Sequence, residues 1–109
     1  MDWLSLISYF FGGAFLTNAV PHFVSGVMGE PFQSPFAKPS GQGLSSATVN
    51  VLWAFFNIAV GYALVGRVGD FSARATSDVM ALGLGVLLMA LLCAQQFGRF
   101  HGGDLRQRS

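Results

Sequence analysis

One histidine of this chain sits inside an apolar run, in the segment Asn18-Ala19-Val20-Pro21-His22. Imidazole can ligate a metal, carry a proton near neutral pH or hold a structural hydrogen bond. At 100° per residue, Asn18, His22, Ser25 and Gly29 fall on one helix face. Two further amides, Asn50 and Asn57, lie on one stripe of a second apolar run, and Gln95, Gln96 and Arg99 close a third. His22 is at the loop end of its run and so shares a depth with Asn50, the following Pro-Phe loop and the two glutamines. Asn18, His22, Asn50, Asn57 and Gln95 are therefore the candidate polar cluster, a ligand or pore site if they act at all. Pro31, Phe32, Pro35 and Phe36 are the candidate loop contacts.

Four roles compete for His22. It could be a neutral histidine bonded to the loop backbone or to Asn50, and that structural reading comes first. It could serve an ion path or respond to pH, since ionisable groups inside membranes often mark function. It could ligate a metal or haem, but a single histidine is a poor site unless His101 or another copy supplies a second ligand. General acid–base catalysis fits least, because no carboxylate, nucleophile or second base lies within the apolar runs to complete a set. The chain also has no Cys-x-x-Cys, no His-Glu-x-x-His and no glycine-rich phosphate loop after a strand. Cys93 lies in an apolar run and reads as a small hydrophobe. The chain is thus expected not to be an enzyme, and no cofactor is expected.

The elements that must position these residues follow from composition. Of the 109 residues 52% are hydrophobic and 10% are charged, against roughly 25% charged in soluble domains. A water-soluble chain of this size could not hide that much apolar surface. Its net charge of +1 and the lack of a basic stripe exclude nucleic acid as the expected partner. A membrane-spanning helix needs about 20 apolar residues, and three stretches qualify. They predict helix one over about 3–28, helix two over about 46–66 and helix three over about 71–98, with Asp70 or Ser72 capping the last and Arg74 paired with Asp78. The apolar N-terminus has Asp2 where a signal peptide carries basic residues, so it reads as a retained membrane helix. The fold class is an all-α integral membrane bundle in one domain, multi-pass, with a polar tail over 99–109. The lipid bilayer is its solvent.

Pro21 removes the hydrogen bond to the Thr17 carbonyl and predicts a kink or stop near Asn18–Val20. Residues 29–45 form the first connection, where Pro31, Pro35 and Pro39 exclude regular helix and two phenylalanines would be costly in water. An ordered loop is expected, folded back with both rings in the membrane or the bundle. Trp3, Tyr9, Trp53 and Tyr62 are candidate interfacial anchors. Small residues predict the packing seams: Ser8, Gly12, Ala19 and Gly26 with Phe15 and His22 in helix one, Ala47, Asn50, Ala54, Asn57 and Gly61 in helix two, and Gly83, Ala90 and Ala94 in helix three, where Ala81 and Gly85 make a second pair. Lys38, Arg99, Arg106 and Arg108 on the loop side outnumber Arg67 and Arg74, which favours a cytoplasmic C-terminus.

The span from Gly12 to about Tyr62 resembles a family of small bacterial inner-membrane proteins. The elements that carry the resemblance are Asn18, Pro21-His22, Pro35-Phe36, Ser45-Ser46 and Asn50 through Trp53. The family has no assigned activity, so the resemblance implies a compact three-helix inner-membrane protein and nothing about chemistry. The function expected is a non-catalytic accessory or scaffold subunit that associates with other membrane helices or its own copies. The alternatives are a homo-oligomeric channel or transporter lined by Asn50, Asn57 and His22, and a small-ligand or haem-binding protein using His22.

Overall fold

The computed structural model describes residues 2–103 and 105. Three helices, α1 (Trp3–Val27), α2 (Ala47–Gly66) and α3 (Thr76–His101), dominate it. All three are long and apolar enough to cross a membrane. In hydrocarbon each backbone polar group must be satisfied inside its own segment, which a helix achieves. The protein is accordingly a small, all-α, multi-pass membrane bundle.

The first helix starts where Asp2 caps it, its carboxylate accepting from the Leu4 N–H at 3.1 Å and the Ser5 hydroxyl at 2.7 Å. The bond from Ser5 holds the Asp2 carboxyl below the usual carboxylate range. Of the expected kink or stop near Asn18–Val20, the stop does not occur: α1 runs through Pro21 to Val27, close to the expected span of about 3–28. Neither Asn18 nor His22 serves the freed Thr17 carbonyl, because both side chains bond elsewhere. Two residues past the helix end Gly29 has a φ of +76°, which suits glycine, and the Glu30 N–H closes back onto the Ser25 carbonyl at 2.9 Å.

The connection that follows is ordered. Phe32–Gln33 (β1) pairs antiparallel with Leu44–Ser45 (β2), Phe32 opposite Ser45 and Gln33 opposite Leu44. Ser46 then caps α2, accepting from the Val49 N–H at 3.2 Å.

The third helix begins at Thr76 instead of Phe71, and Ala75 precedes it without a side-chain cap. Phe71 is committed elsewhere, edge-on to Tyr9 with ring centroids 5.1 Å apart. Asp78 accepts from the Ser72 N–H at 3.0 Å, a bond that holds the connection, and it forms no ion pair with Arg74. At the far end the helix extends past Gly98 to His101, so the first part of the expected polar tail is helical. The rest of the tail, with Arg106 and Arg108, lies outside the described residues.

Packing is unequal. Central α1 touches both other helices, which barely meet each other. The seam with α2 matches the expected small-residue stripes. A Cβ on Gly12 would meet Val65, Leu64 and the Gly61 carbonyl, and one on Gly26 would meet Val51 and the Ala47 carbonyl. The Ser8 hydroxyl reaches across to the Leu64 carbonyl at 2.6 Å. The seam with α3 runs through Gly13 against the Leu82 carbonyl and Gly85 against the Phe10 carbonyl. The expected Gly83–Ala90–Ala94 stripe is not that seam. A Cβ on Gly83 would meet nothing within 4 Å, and Ala90 and Ala94 are exposed. Trp3 and Tyr62 remain exposed as anchors would, but Tyr9 is buried.

Gly85→Ala forces a methyl into the Phe10 backbone and should cost about 1–3 kcal/mol, the usual range for overpacking. Gly83→Ala should not destabilise, and reversible unfolding in mixed micelles distinguishes the two. A depressed carboxyl pKa stabilises the fold above the unfolded value of 3.8 and loses that contribution as pH falls below it. Hydrogen exchange at the Leu4 amide should accelerate below that pH while mid-helix amides stay protected.

Candidate functional site

The polar side chains of the spans divide into two clusters at different depths. The deeper one centres on Asn57, ten residues from the start of α2 and nine from its end. Its amide donates to the Trp53 carbonyl at 2.8 Å, and its oxygen accepts from the Asn18 amide at 3.1 Å. The Asn18 oxygen in turn faces the Cys93 thiol at 3.8 Å. This chain of weak and ordinary hydrogen bonds ties α1, α2 and α3 together at mid-membrane, where an unpaired amide would be costly.

The second cluster lies under the loop and is built around Asn50, which is fully buried. Its amide nitrogen lies 3.0 Å from the Ser46 carbonyl, 3.1 Å from the Ser45 carbonyl and 3.2 Å from the Phe32 carbonyl. Three acceptors around one atom identify it as the NH2 group. The Asn50 oxygen therefore faces His22 Nδ1 at 2.7 Å, and since a carbonyl oxygen only accepts, Nδ1 carries the hydrogen. His22 is a positioned donor, bonded as the structural reading expects.

The His22 ring is enclosed by three aromatic side chains. Phe32, Phe97 and Trp53 stand at 89°, 90° and 75° to it, with centroids 5.4, 5.8 and 6.4 Å away. Edge-to-face packing of this kind adds to simple burial. Among the described residues no three of His, Cys, Asp and Glu come together in a way that could hold a metal ion.

Phe32 is the hub of the loop. It packs against Phe97 at 4.7 Å and stacks on His101 at 4.9 Å with 10° between the planes. His101 Nε2 donates to the Gln33 side-chain oxygen at 2.7 Å. The sequence offers His101 only as a second ligand for His22 and gives it no loop contact, because its segment reads as a polar tail; the signal available was its place one turn beyond Phe97 on a helix that could continue. The other candidate loop residues divide. Phe36 is exposed on the outer surface, edge-on to Trp53 at 5.1 Å. Pro31 and Pro35 are exposed, and Pro35 only offers its carbonyl to the Ser40 hydroxyl at 2.9 Å. Buried Ser34 shares a 2.5 Å hydrogen bond with Ser45 and accepts from the Phe36 N–H.

The glutamine prediction needs correction. Gln95 is exposed and joins neither cluster. Its neighbour Gln96 donates to the Gly41 carbonyl at 3.2 Å and accepts from Arg99 at 2.8 Å. One residue is 100° of rotation on a helix, so neighbouring glutamines cannot both face the loop.

Replacing Asn50 with leucine would strand the buried His22 N–H and remove the bonds Asn50 gives to the Phe32 and Ser45 carbonyls. A buried orphan of this kind costs about 1–3 kcal/mol. Asn57→Leu should cost less, near the roughly 0.6 kcal/mol typical of interhelical hydrogen bonds in membranes, and Gln95→Ala nothing. Unfolding in mixed micelles ranks the three, and proteolysis within the loop should rise only for Asn50→Leu. In comparisons with protein families, curated proteins and solved structures, nothing matches this chain.

Proposed function

We propose that the protein is a non-catalytic accessory or scaffold subunit of a bacterial inner membrane. It would bind other transmembrane helices, its own copies included, through faces its own fold leaves over. The observation that carries this reading is the outer face of α3. The helix packs on α1, barely touches α2, and turns Gly83, Leu87, Leu91 and Ala94 outward. Exposed small residues let another helix backbone approach closely, which is how helices associate in lipid. The bacterial inner membrane is the setting implied by the motif resemblance. The excess of Lys38, Arg99, Arg106 and Arg108 over Arg67 and Arg74 supports a cytoplasmic C-terminus.

The channel reading finds less support. Asn50, Asn57 and His22 are each at most 2% exposed, and each bonds within its own chain, so association of copies would not bring them to a shared path. Native mass spectrometry from lipid nanodiscs tests the proposal. The expected result is a homo-oligomer or a complex with another membrane protein, and substituting Gly83 with leucine should weaken it. A strict monomer that co-purifies with nothing would overturn it.

A further inference from the structure

A pocket of about 470 Å³ opens at the end of the molecule opposite the Pro-Phe loop, between the start of α1 and the connection that leads into α3. Its size is that of a small-molecule site. Asp2, Asp70 and Asp78 line it together with Ser5 and Tyr9, and among the described residues no lysine, arginine or histidine does.

The fold uses these carboxylates only in part. Asp2 accepts one hydrogen bond on each oxygen, from Leu4 and Ser5. Asp78 uses one oxygen, for the Ser72 N–H. Asp70 is exposed and caps nothing, since α3 starts without a side-chain cap. A carboxylate has about four acceptor sites, so most of this capacity is left over. A cleft lined by one sign of charge concentrates counter-ions. The carboxylates do not converge on one point, because no three acidic, histidine or cysteine side chains among the described residues could hold one metal ion. An extended cation that meets them separately fits this spacing.

Tyr9 adds a neutral acceptor at the pocket's inner end. Its side chain is 1% exposed and lies edge-on to Phe71. A Cβ on Gly69 would meet the hydroxyl oxygens of both Ser5 and Tyr9, so the Tyr9 hydroxyl points to the side on which Ser5 and Gly69 line the pocket. Ser5 is committed to Asp2, and the Tyr9 hydroxyl has no partner among the described residues. Of their side-chain nitrogen and oxygen atoms, the one both sealed from solvent and unpartnered is the Trp53 indole nitrogen. The Tyr9 hydroxyl is therefore open to the pocket, although a buried tyrosine ordinarily finds a partner inside the fold. An ammonium group has three donors and no acceptor, which suits carboxylates and a hydroxyl oxygen alike. We propose that this pocket binds a linear aliphatic polyamine, whose ammonium groups are shared among Asp2, Asp70 and Asp78 and one of which donates to the Tyr9 hydroxyl oxygen.

Spermidine is the probe, titrated calorimetrically into the full chain in phosphatidylcholine nanodiscs, with empty nanodiscs as the blank. Saturable binding of one molecule per chain is expected. Tyr9→Phe and Asp70→Asn should each weaken it about fivefold, the equivalent of one hydrogen bond or one exposed ion pair. Neither variant removes a side-chain bond of the fold, so unfolding in mixed micelles should be unchanged and separates lost affinity from lost structure. Fully acetylated spermidine should not bind, and magnesium at equal charge concentration should not displace spermidine. No binding, binding indifferent to either variant, or displacement by magnesium overturns the inference. Tighter binding of trilysine than of spermidine also overturns it, in favour of a basic segment of a partner protein.

Discussion

The buried side chain of Asn50 is the constraint on which the loop end of the molecule depends. In water an amide exchanges partners at little cost, but in hydrocarbon every donor and acceptor must be met by protein. Asn50 meets that demand by accepting from His22 on α1 and donating to carbonyls at the start of its own helix and in the loop. One residue thereby specifies the rotation of α1 against α2 and the position of β1. Beside it lies the aromatic layer of Phe32, Phe97 and His101, whose Phe32 carbonyl Asn50 also holds.

Elsewhere the architecture follows from small residues. With no hydrophobic effect to drive helices together in lipid, close backbone approach is the main attraction, and only glycine, alanine or serine permits it. On α1 these residues serve two partners at once, Gly12 and Gly26 facing α2 and Gly13 facing α3. The central position of α1 is a direct consequence. Nothing comparable joins α2 to α3, so a groove remains between them, and the Asn18–Asn57 pair and Trp53 reach its floor and wall.

Much of this was legible in the residues alone. Three apolar runs bounded by polar or proline-rich segments can only be spanning helices. The α2 stripe of Ala47, Asn50, Ala54, Asn57 and Gly61 showed its packing face because small and amide residues recur there at helical spacing. His22 could be read as bonded because a histidine at that depth needs a partner. The α3 seam was not legible. Its Gly83–Ala90–Ala94 stripe and its Ala81–Gly85 pair have equal claims by composition, and only the Gly85 pair met a neighbour. Likewise Pro21 signals a lost hydrogen bond, but whether the helix stops there depends on packing that sequence does not display.

The length of the apolar runs therefore determined by itself that there are three spans, the prolines and phenylalanines after the first that a structured loop follows it, and helical periodicity which residues share each face. Tertiary structure decided how each face is turned toward its neighbours. It set Gln96 rather than Gln95 on the loop, carried α3 to His101, paired His22 with Asn50 and left the Trp53 indole without an acceptor. The physical reason is that the hydropathy pattern describes each helix against lipid alone. A hydrogen bond such as Asn18 to Asn57, across 39 residues of chain, exists only after rotation, depth and crossing of two helices are settled together.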